Sequence, residues 1–375
     1  MTTIVNPFIA TGKVPEELFC DRMNESKQLI RSLTNGANVV LMSPRRVGKT
    51  QLIYHCFDKH SISNHYITFF IDILKTSSLQ EFTFELGKSV FNTLASRGQK
   101  LQKLAISTMR SLTGNIGFDP ITSLPTFGIS IGEIQNPTYS LEEIFNTLEK
   151  AGRKCLVAID EFQQIANYPE KNIEALLRSY IQKLSNTQFV FSGSERHLLE
   201  EMFLDSPRPF YNSADIQNLD VIEEAKYADF VKHHFLANGK RIENDAIDYV
   251  YHTFEGNTYY NQKTFREVFA ITATDTVCTR QTIEYVIDLM VKEADRHYSE
   301  ILARLSLSQK ELLYAIAKDQ HARQIMSGSF IRKHKLKSAS SVQSSMKKLF
   351  AYGLVSFENG EYYIPDQLMR LWLIR

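Results

Sequence analysis

The sequence predicts an α/β fold built on a mostly parallel sheet, followed by a helical domain and a terminal winged helix. Three observations carry that expectation. Short apolar runs alternate with helix-like segments over the first two hundred residues, the βαβ pattern of a sheet covered on both faces. The runs are nearly continuous, as in strands buried on both sides; a strand with one wet face would alternate. From Glu223 the periodicity turns helical, and the last seventy residues read as three helices and a hairpin.

In chain order, strands are expected at 38–42, 66–71, 155–159, 188–192 and 215–219, and helices at 49–58, 79–96, 140–151 and 173–184. Between 98 and 138 the pattern lapses into Gly, Pro, Ser and Thr, with alternation over 126–131 that suggests a hairpin or mobile insertion. Tyr227, Phe230, Val231, His234 and Phe235 recur at three-to-four spacing, as in a bundle helix. Helices at 308–317, 330–334 and 340–352 then precede a hairpin over 355–364. Asn359-Gly360 supplies its turn, because both central residues of that turn type need positive φ. The expected domains are 1–221, 222–300 and 301–375.

Composition narrows the classes. With 375 residues, 43% hydrophobic and 23% charged, the chain has ordinary globular character. Its net charge of +1 makes it no polyanion binder as a whole, so nucleic-acid binding must rest on local charge. Cys20, Cys56, Cys155 and Cys278 form no CxxC or Cys/His cluster and read as buried thiols. The ten histidines show no metal-ligand spacing. The N-terminus lacks a signal-like apolar stretch, and no run reaches the ~18 apolar residues of a membrane span. No membrane partner and a cytoplasmic location are expected.

Chemistry concentrates at three strand ends. After the first strand comes Ser43-Pro44-Arg45-Arg46-Val47-Gly48-Lys49-Thr50, which fits the phosphate-loop pattern GxxxxGK[ST] except that Ser43 stands at the first glycine; Gln51 follows in the helix. Such a loop wraps main-chain N–H groups round a phosphate at the positive end of a helix. ATP or ADP with Mg²⁺ is the expected ligand: Lys49 would bridge the β- and γ-phosphates of ATP, and Thr50 would ligate the Mg²⁺. Gly accepts positive φ that Ser takes only at a cost, so Ser43 implies a differently shaped loop entry. The run Cys155-Leu156-Val157-Ala158-Ile159 ends in Asp160-Glu161. Adjacent carboxylates closing a buried strand call for a cation or hydrogen bonds to receive them: Asp160 is placed to hold Mg²⁺ through its water shell and Glu161 to act as general base toward water. Phe189-Val190-Phe191 ends in Ser192-Gly193-Ser194, and either serine could position that water if this strand lies beside the loop.

With these elements in order, the chain resembles the archaeal-type P-loop ATPases, a group related to the AAA+ and STAND ATPases. The resemblance rests on Phe19-Cys20-Asp21-Arg22, the 44–50 loop, Ile159-Asp160-Glu161-Phe162-Gln163, Phe191-Ser192-Gly193-Ser194, Arg208-Pro209-Phe210-Tyr211, Gly256-Asn257-Thr258-Tyr259-Tyr260 and Tyr363-Ile364-Pro365-Asp366 to Trp372. It implies an α/β ATPase core, a helical lid and a winged helix. It further implies magnesium-dependent ATP hydrolysis, slow or partner-stimulated, that drives a conformational switch. By the same likeness Arg208 falls where a γ-phosphate-sensing arginine stands, Asp21 and Arg22 near the base, and Gly256-Asn257-Thr258 at a lid turn beside adenine.

Residues 305 to 375 hold 11 Lys and Arg against 5 Asp and Glu, a local +6 that leaves −5 for the rest of the chain. Arg332-Lys333-His334-Lys335-Leu336-Lys337 leads into the third winged-helix helix, with Val342, Met346 and Leu349 expected inward and Ser340, Gln343, Ser344 and Lys347 outward. That arrangement suits a DNA major groove with phosphate anchoring. DNA, a protein and a second copy of the chain stay open as partners, and regulation within the chain is a further reading of the winged helix. An ATP-responsive DNA-binding regulator with little turnover is the alternative to the switch.

Overall fold

The structure, a computed structural model, describes residues 6–113, 117–118, 125–126 and 134–375. It divides into two compact units, Lys13–Asp220 and a second made of Val221–Arg375 with the chain before Lys13.

In the first unit α1 (Met23–Thr34) leads to β1 (Val39–Met42), α2 (Lys49–Asp58), the short α3 (His60–Ser63) and β2 (Tyr66–Asp72). Next come α4 (Leu79–Ala95), α5 (Gln99–Thr113), the two-residue strands β3 (Gly117–Phe118) and β4 (Pro125–Thr126), and α6 (Pro137–Glu149). Then follow β5 (Lys154–Asp160), α7 (Ile173–Ile181), β6 (Thr187–Gly193), α8 (Arg196–Leu204) and β7 (Asp215–Asn218). The strands of the main sheet are ordered β2-β5-β6-β1-β7, and every pairing is parallel. Alternate strand residues feed two cores. Val40, Met42, Phe69, Val157, Ile159 and Phe191 face α4, α6 and α8, while Val39, Leu41, Leu156, Ala158 and Val190 face α1 and α2. This two-sided burial is why the strands read as unbroken apolar runs. Local signals set the helix starts: the Ser78 side chain accepts from Glu81 N, and Asn136 accepts from Tyr139 N with Pro137 in the first turn.

One expectation in this region is corrected by the structure. The stretch from 98 begins as a 15-residue helix, α5, whose Ala105 is buried against the core, with Leu101 and Leu104 packed onto it. The Thr108 and Thr147 hydroxyls meet at 2.5 Å, fastening α5 to α6. An isolated helix this short is marginal in water, so α5 owes its stability to docking, although Leu101, Leu104, Ala105, Met109 and Leu112 recur at helical spacing in its sequence. Of the expected 126–131 hairpin, Thr126 pairs in β4 with Gly117, and 127–131 lie outside the described residues.

The second unit contains α9 (Glu224–Ala237), β8 (Arg241–Ile242), α10 (Asn244–Thr253), α11 (Thr258–Ile271), β9 (Val277–Cys278) and α12 (Arg280–Ala303). It continues through α13 (Leu307–Asp319), α14 (Gly328–Lys333), α15 (Ala339–Ala351), the antiparallel pair β10 (Ser356–Glu358) and β11 (Glu361–Tyr363), and α16 (Gln367–Leu373). Asn359 and Gly360 turn the hairpin at φ of 53° and 83°. Val342, Met346 and Leu349 are buried and Ser340, Gln343, Ser344 and Lys347 exposed, as α15's pattern predicts.

The expected boundary at residue 1 moves. Phe8 is 1% exposed among the rings of Phe230, His234, Phe235, Phe265 and Phe269, and Asn6 Nδ2 donates to Arg266 O at 2.8 Å, so residues 6–12 belong to the helical unit. Helix α16, which the periodicity reading omits, ties the helical and winged-helix parts into one body. Its cap Asp366 accepts from Tyr260 Oη of α11 at 2.6 Å and Tyr298 Oη of α12 at 3.0 Å, and buried Arg370 donates to Thr253 O at 3.0 Å.

Candidate nucleotide and metal site

The site forms where β1, β6 and β5, side by side in that order, reach their carboxyl ends. Such ends are where open parallel sheets hold their ligands. Leaving β1, the chain passes Ser43, which is 1% exposed and donates through its hydroxyl to Pro44 O at 2.8 Å. Ser43 does not adopt positive φ; the left-handed residues are Arg46 at 66° and Gly48 at 100°. The strain expected from the missing glycine is therefore absent, and the bend falls three and five residues further on. Helix α2 starts at Lys49 with its positive end toward the loop. Arg45 and Arg46 are exposed, Val47 is buried, and Gln51 Oε1 accepts from Val14 N at 3.0 Å, tying the segment entering this unit to α2.

The Lys49 side chain is 6% exposed, yet its hydrogen bonds are long ones to Ser43 O at 3.5 Å and Pro44 O at 3.4 Å. Burial pulls its pKa below that of an ordinary lysine, opposed by the charges of Glu161 and Asp160. A buried ammonium held by distant carbonyls lacks a close counter-charge, and a phosphate in the loop would provide one.

Asp160, 5% exposed, ends β5 with both oxygens occupied. Thr50 Oγ1 donates to Oδ2 at 2.7 Å, and Ser192 Oγ donates to Oδ1 at 2.6 Å, joined there by Glu161 N at 3.1 Å. Adjacent hydroxyl and carboxylate oxygens form the hard donor set that Mg²⁺ prefers. The side chains present thus fit both a polyphosphate and its metal.

Glu161 follows at φ 57°, a left-handed conformation just past the end of the strand. Its Oε2 accepts from Gln163 Nε2 at 2.6 Å, Ser194 Oγ at 2.8 Å and Ser194 N at 3.3 Å. The two serines are therefore distinguished by sheet geometry: Ser192 serves Asp160, and Ser194 serves Glu161 while accepting from exposed Arg45 Nε at 3.3 Å.

Arg22 sits at the loop's back. Its guanidinium donates to Val47 O at 3.3 Å, Asp220 O at 2.6 Å and Glu25 Oε1 at 2.8 Å, so it braces the phosphate loop against the chain beyond β7. Phe19 stacks on His55 of α2 at 3.9 Å, and Asp21 is partly exposed at φ 52°. Arg208 lies apart from this cluster in its bonding: it pairs with Glu174 at 2.5 Å and Glu201 at 2.9 Å. Periodicity and motif spacing assign no role to Gln163, although it stands within the Asp160-Glu161-Phe162-Gln163 run; a buried glutamine beside an acidic pair is the signal that would find it.

All four cysteines are buried free thiols, with Cys20, Cys56 and Cys155 pushed up by burial to about 12 and Cys278 to about 11, which keeps them protonated and poor nucleophiles. Among the described residues no helix is long and apolar enough to cross a membrane.

Known proteins share the fold. An ATPase domain found predominantly in Archaea matches residues 19–263, and a probable winged helix domain matches residues 296–375. An uncharacterized ATP-binding protein of Methanocaldococcus jannaschii is 26% identical over 261 residues, covering 64% of this chain and 68% of its own length. Among solved structures, the Walker-type ATPase of Pyrococcus abyssi superposes with a TM-score of 0.63 at 18% identity, covering 98% of this chain and all of that one. The ORC2 protein of Aeropyrum pernix, solved with ADPNP and ADP, gives 0.59 at 13% identity over 98% of this chain and 95% of its own. The ORC1 protein of the same organism, solved with DNA, gives 0.53 at 13% identity over 95% and 92%. At these identities the superpositions speak for the fold, while the domain match covers well over half the sequence. The chain belongs to the family of ATPase domains found predominantly in Archaea, an ATP-binding domain followed here by a winged helix.

Proposed function

We propose that the protein hydrolyses ATP with Mg²⁺ and uses nucleotide state to reposition its winged helix on a partner. The observation that carries this reading is the run of contacts across three neighbouring strand ends: Thr50 to Asp160, Asp160 to Ser192, with buried Lys49 alongside. Lys49 and the Ser43–Gln51 loop would hold the phosphates, and Thr50 and Asp160 the metal. When bound, Mg²⁺ supplies positive charge to the phosphate oxygens. Glu161, one oxygen fixed by Gln163 and Ser194, keeps Oε1 for a water and takes its proton as general base. Asp21 and Arg22 flank the nucleotide in this reading, Arg22 through the loop it braces. Arg208 contributes only after leaving Glu174 and Glu201, so its role belongs to a state in which those pairs have opened.

Phosphate release from wild type, Lys49→Ala and Glu161→Gln tests the reading. Magnesium-dependent release by wild type that both variants lose supports it; absence of ATP and ADP binding by calorimetry on folded protein ends it.

A second observation favours DNA as the partner. The winged-helix region carries +6, and α15 presents exposed Gln343, Ser344 and Lys347 after exposed Arg332, Lys335 and Lys337. A neighbour of the same fold is solved with DNA. Gel-shift titration over a salt series discriminates, since phosphate contacts weaken steeply as salt rises and a protein partner has no such requirement. A second copy of the chain is tested by mass measurement with and without ATP.

A further inference from the structure

We propose that Gln163 is a positioning residue that fixes the general base Glu161, and that Gly193 is glycine to make room for it; this rests on the hydrolytic reading above.

Three observations converge. Gln163 is 2% exposed and spends its amide N–H on Glu161 Oε2 at 2.6 Å. Its other amide atom, Oε1, is buried without a hydrogen-bond partner, which costs folding stability. A glutamine kept for packing alone would be better replaced by an apolar side chain of the same size. Finally, a Cβ built on Gly193 would stand 2.0 Å from Gln163 Oε1 and 3.0 Å from Leu199 Cδ1. Gly193 has no positive φ to explain it, so the close approach of Gln163 is its physical reason.

The geometry makes a clamp. Glu161 leaves β5 in the left-handed region, where its carboxylate would otherwise sample several directions. Gln163 approaches Oε2 from the turn that follows the strand, and Ser194 approaches with both its hydroxyl and its main-chain N–H from the end of β6. Three donors on one oxygen fix the plane of the carboxylate and leave Oε1 directed at a water. A base so held avoids reorientation during proton transfer, the source of the rate advantage of preorganised groups. Because Ser194 also accepts from Arg45, the clamp joins the acidic strand to the phosphate loop by way of β6.

Gln163→Met keeps the side-chain length, removes the donor and removes the unsatisfied oxygen. Its melting temperature is expected to equal or exceed that of wild type, and its ATP affinity and KM to stay within about twofold, while kcat falls about tenfold or more, a share of the 10²–10⁴ that a positioned base contributes. A residue with a merely structural role would show the reverse, lost stability with kcat kept. Gly193→Ala is expected to lower kcat by a similar factor in the wild-type background and to add less than twofold to Gln163→Ala, whose shortened side chain vacates the space. Wild-type turnover with an unchanged kcat in Gln163→Met, or a Gly193→Ala effect that multiplies fully with Gln163→Ala, overturns the clamp and leaves the hydrolytic reading standing. Absence of turnover by wild type overturns both.

Discussion

The Ser192 hydroxyl, 32 residues beyond Asp160 in the chain, donates to Asp160 Oδ1 at 2.6 Å across the β5–β6 seam. Both side chains are nearly closed to solvent, so the bond is a charge-assisted one in a low-dielectric setting.

Ser192→Ala therefore leaves Asp160 Oδ1 short of a donor. Unfolding in urea is expected to show a loss of about 1.5–3 kcal/mol, the scale of a hydrogen bond to a charged group. The magnesium concentration needed for half-maximal phosphate release should rise at least about tenfold, as when the partner that orients a metal ligand is removed.

Lys49 predicts a pH dependence. Burial lowers its folded pKa, so it binds its proton more weakly than in the unfolded chain and opposes folding. That penalty is complete below the lowered folded value and fades as pH rises toward the unfolded value of about 10.4. Nucleotide-free Lys49→Met is expected to melt above wild type at neutral pH, with the gap closing as pH rises through that window. The same variant should show no ATP binding by calorimetry.

Arg22 offers a test of bracing. Arg22→Ala removes donors from Val47 O and Asp220 O at once and is expected to cost about 2–4 kcal/mol in urea, with weakened nucleotide binding. Arg22→Lys should recover little of either, because one ammonium cannot span the positions that a planar guanidinium reaches.

In the second unit, Asp366 accepts from two tyrosines and from Met369 N at the start of α16. Asp366→Ala is expected to lower the stability of this unit by about 2–3 kcal/mol, a cap and two charge-assisted bonds together. Hydrogen exchange should locate the loss in α16.

The main-sheet strands and α2 were legible because their signals are local. Buried strands read as unbroken apolar runs, and the 49–58 helix and the Asn359-Gly360 turn match their expected positions, since capping, φ preference and periodicity act over a few residues. The phosphate loop and the acidic strand end were legible for the same reason. Helix α5 was not plainly legible, although Leu101, Leu104, Ala105, Met109 and Leu112 keep helical spacing, because the Gly, Pro, Ser and Thr of the stretch that follows give the region the look of a loop; its docking on α4 and α6 is a tertiary matter. Nor was the place of Phe8, whose aromatic neighbours lie more than two hundred residues away.

What the sequence by itself determined is the set of chemical groups: a lysine and threonine after a strand, two acids after another, two serines after a third. The tertiary structure decided their division of labour. Only the order β2-β5-β6-β1-β7 puts β6 between loop and acids, and only its register brings Ser192 to Asp160 and Ser194 to Glu161. Strand order depends on the packing of the whole sheet, a sum of weak non-local contacts to which no single segment holds the key.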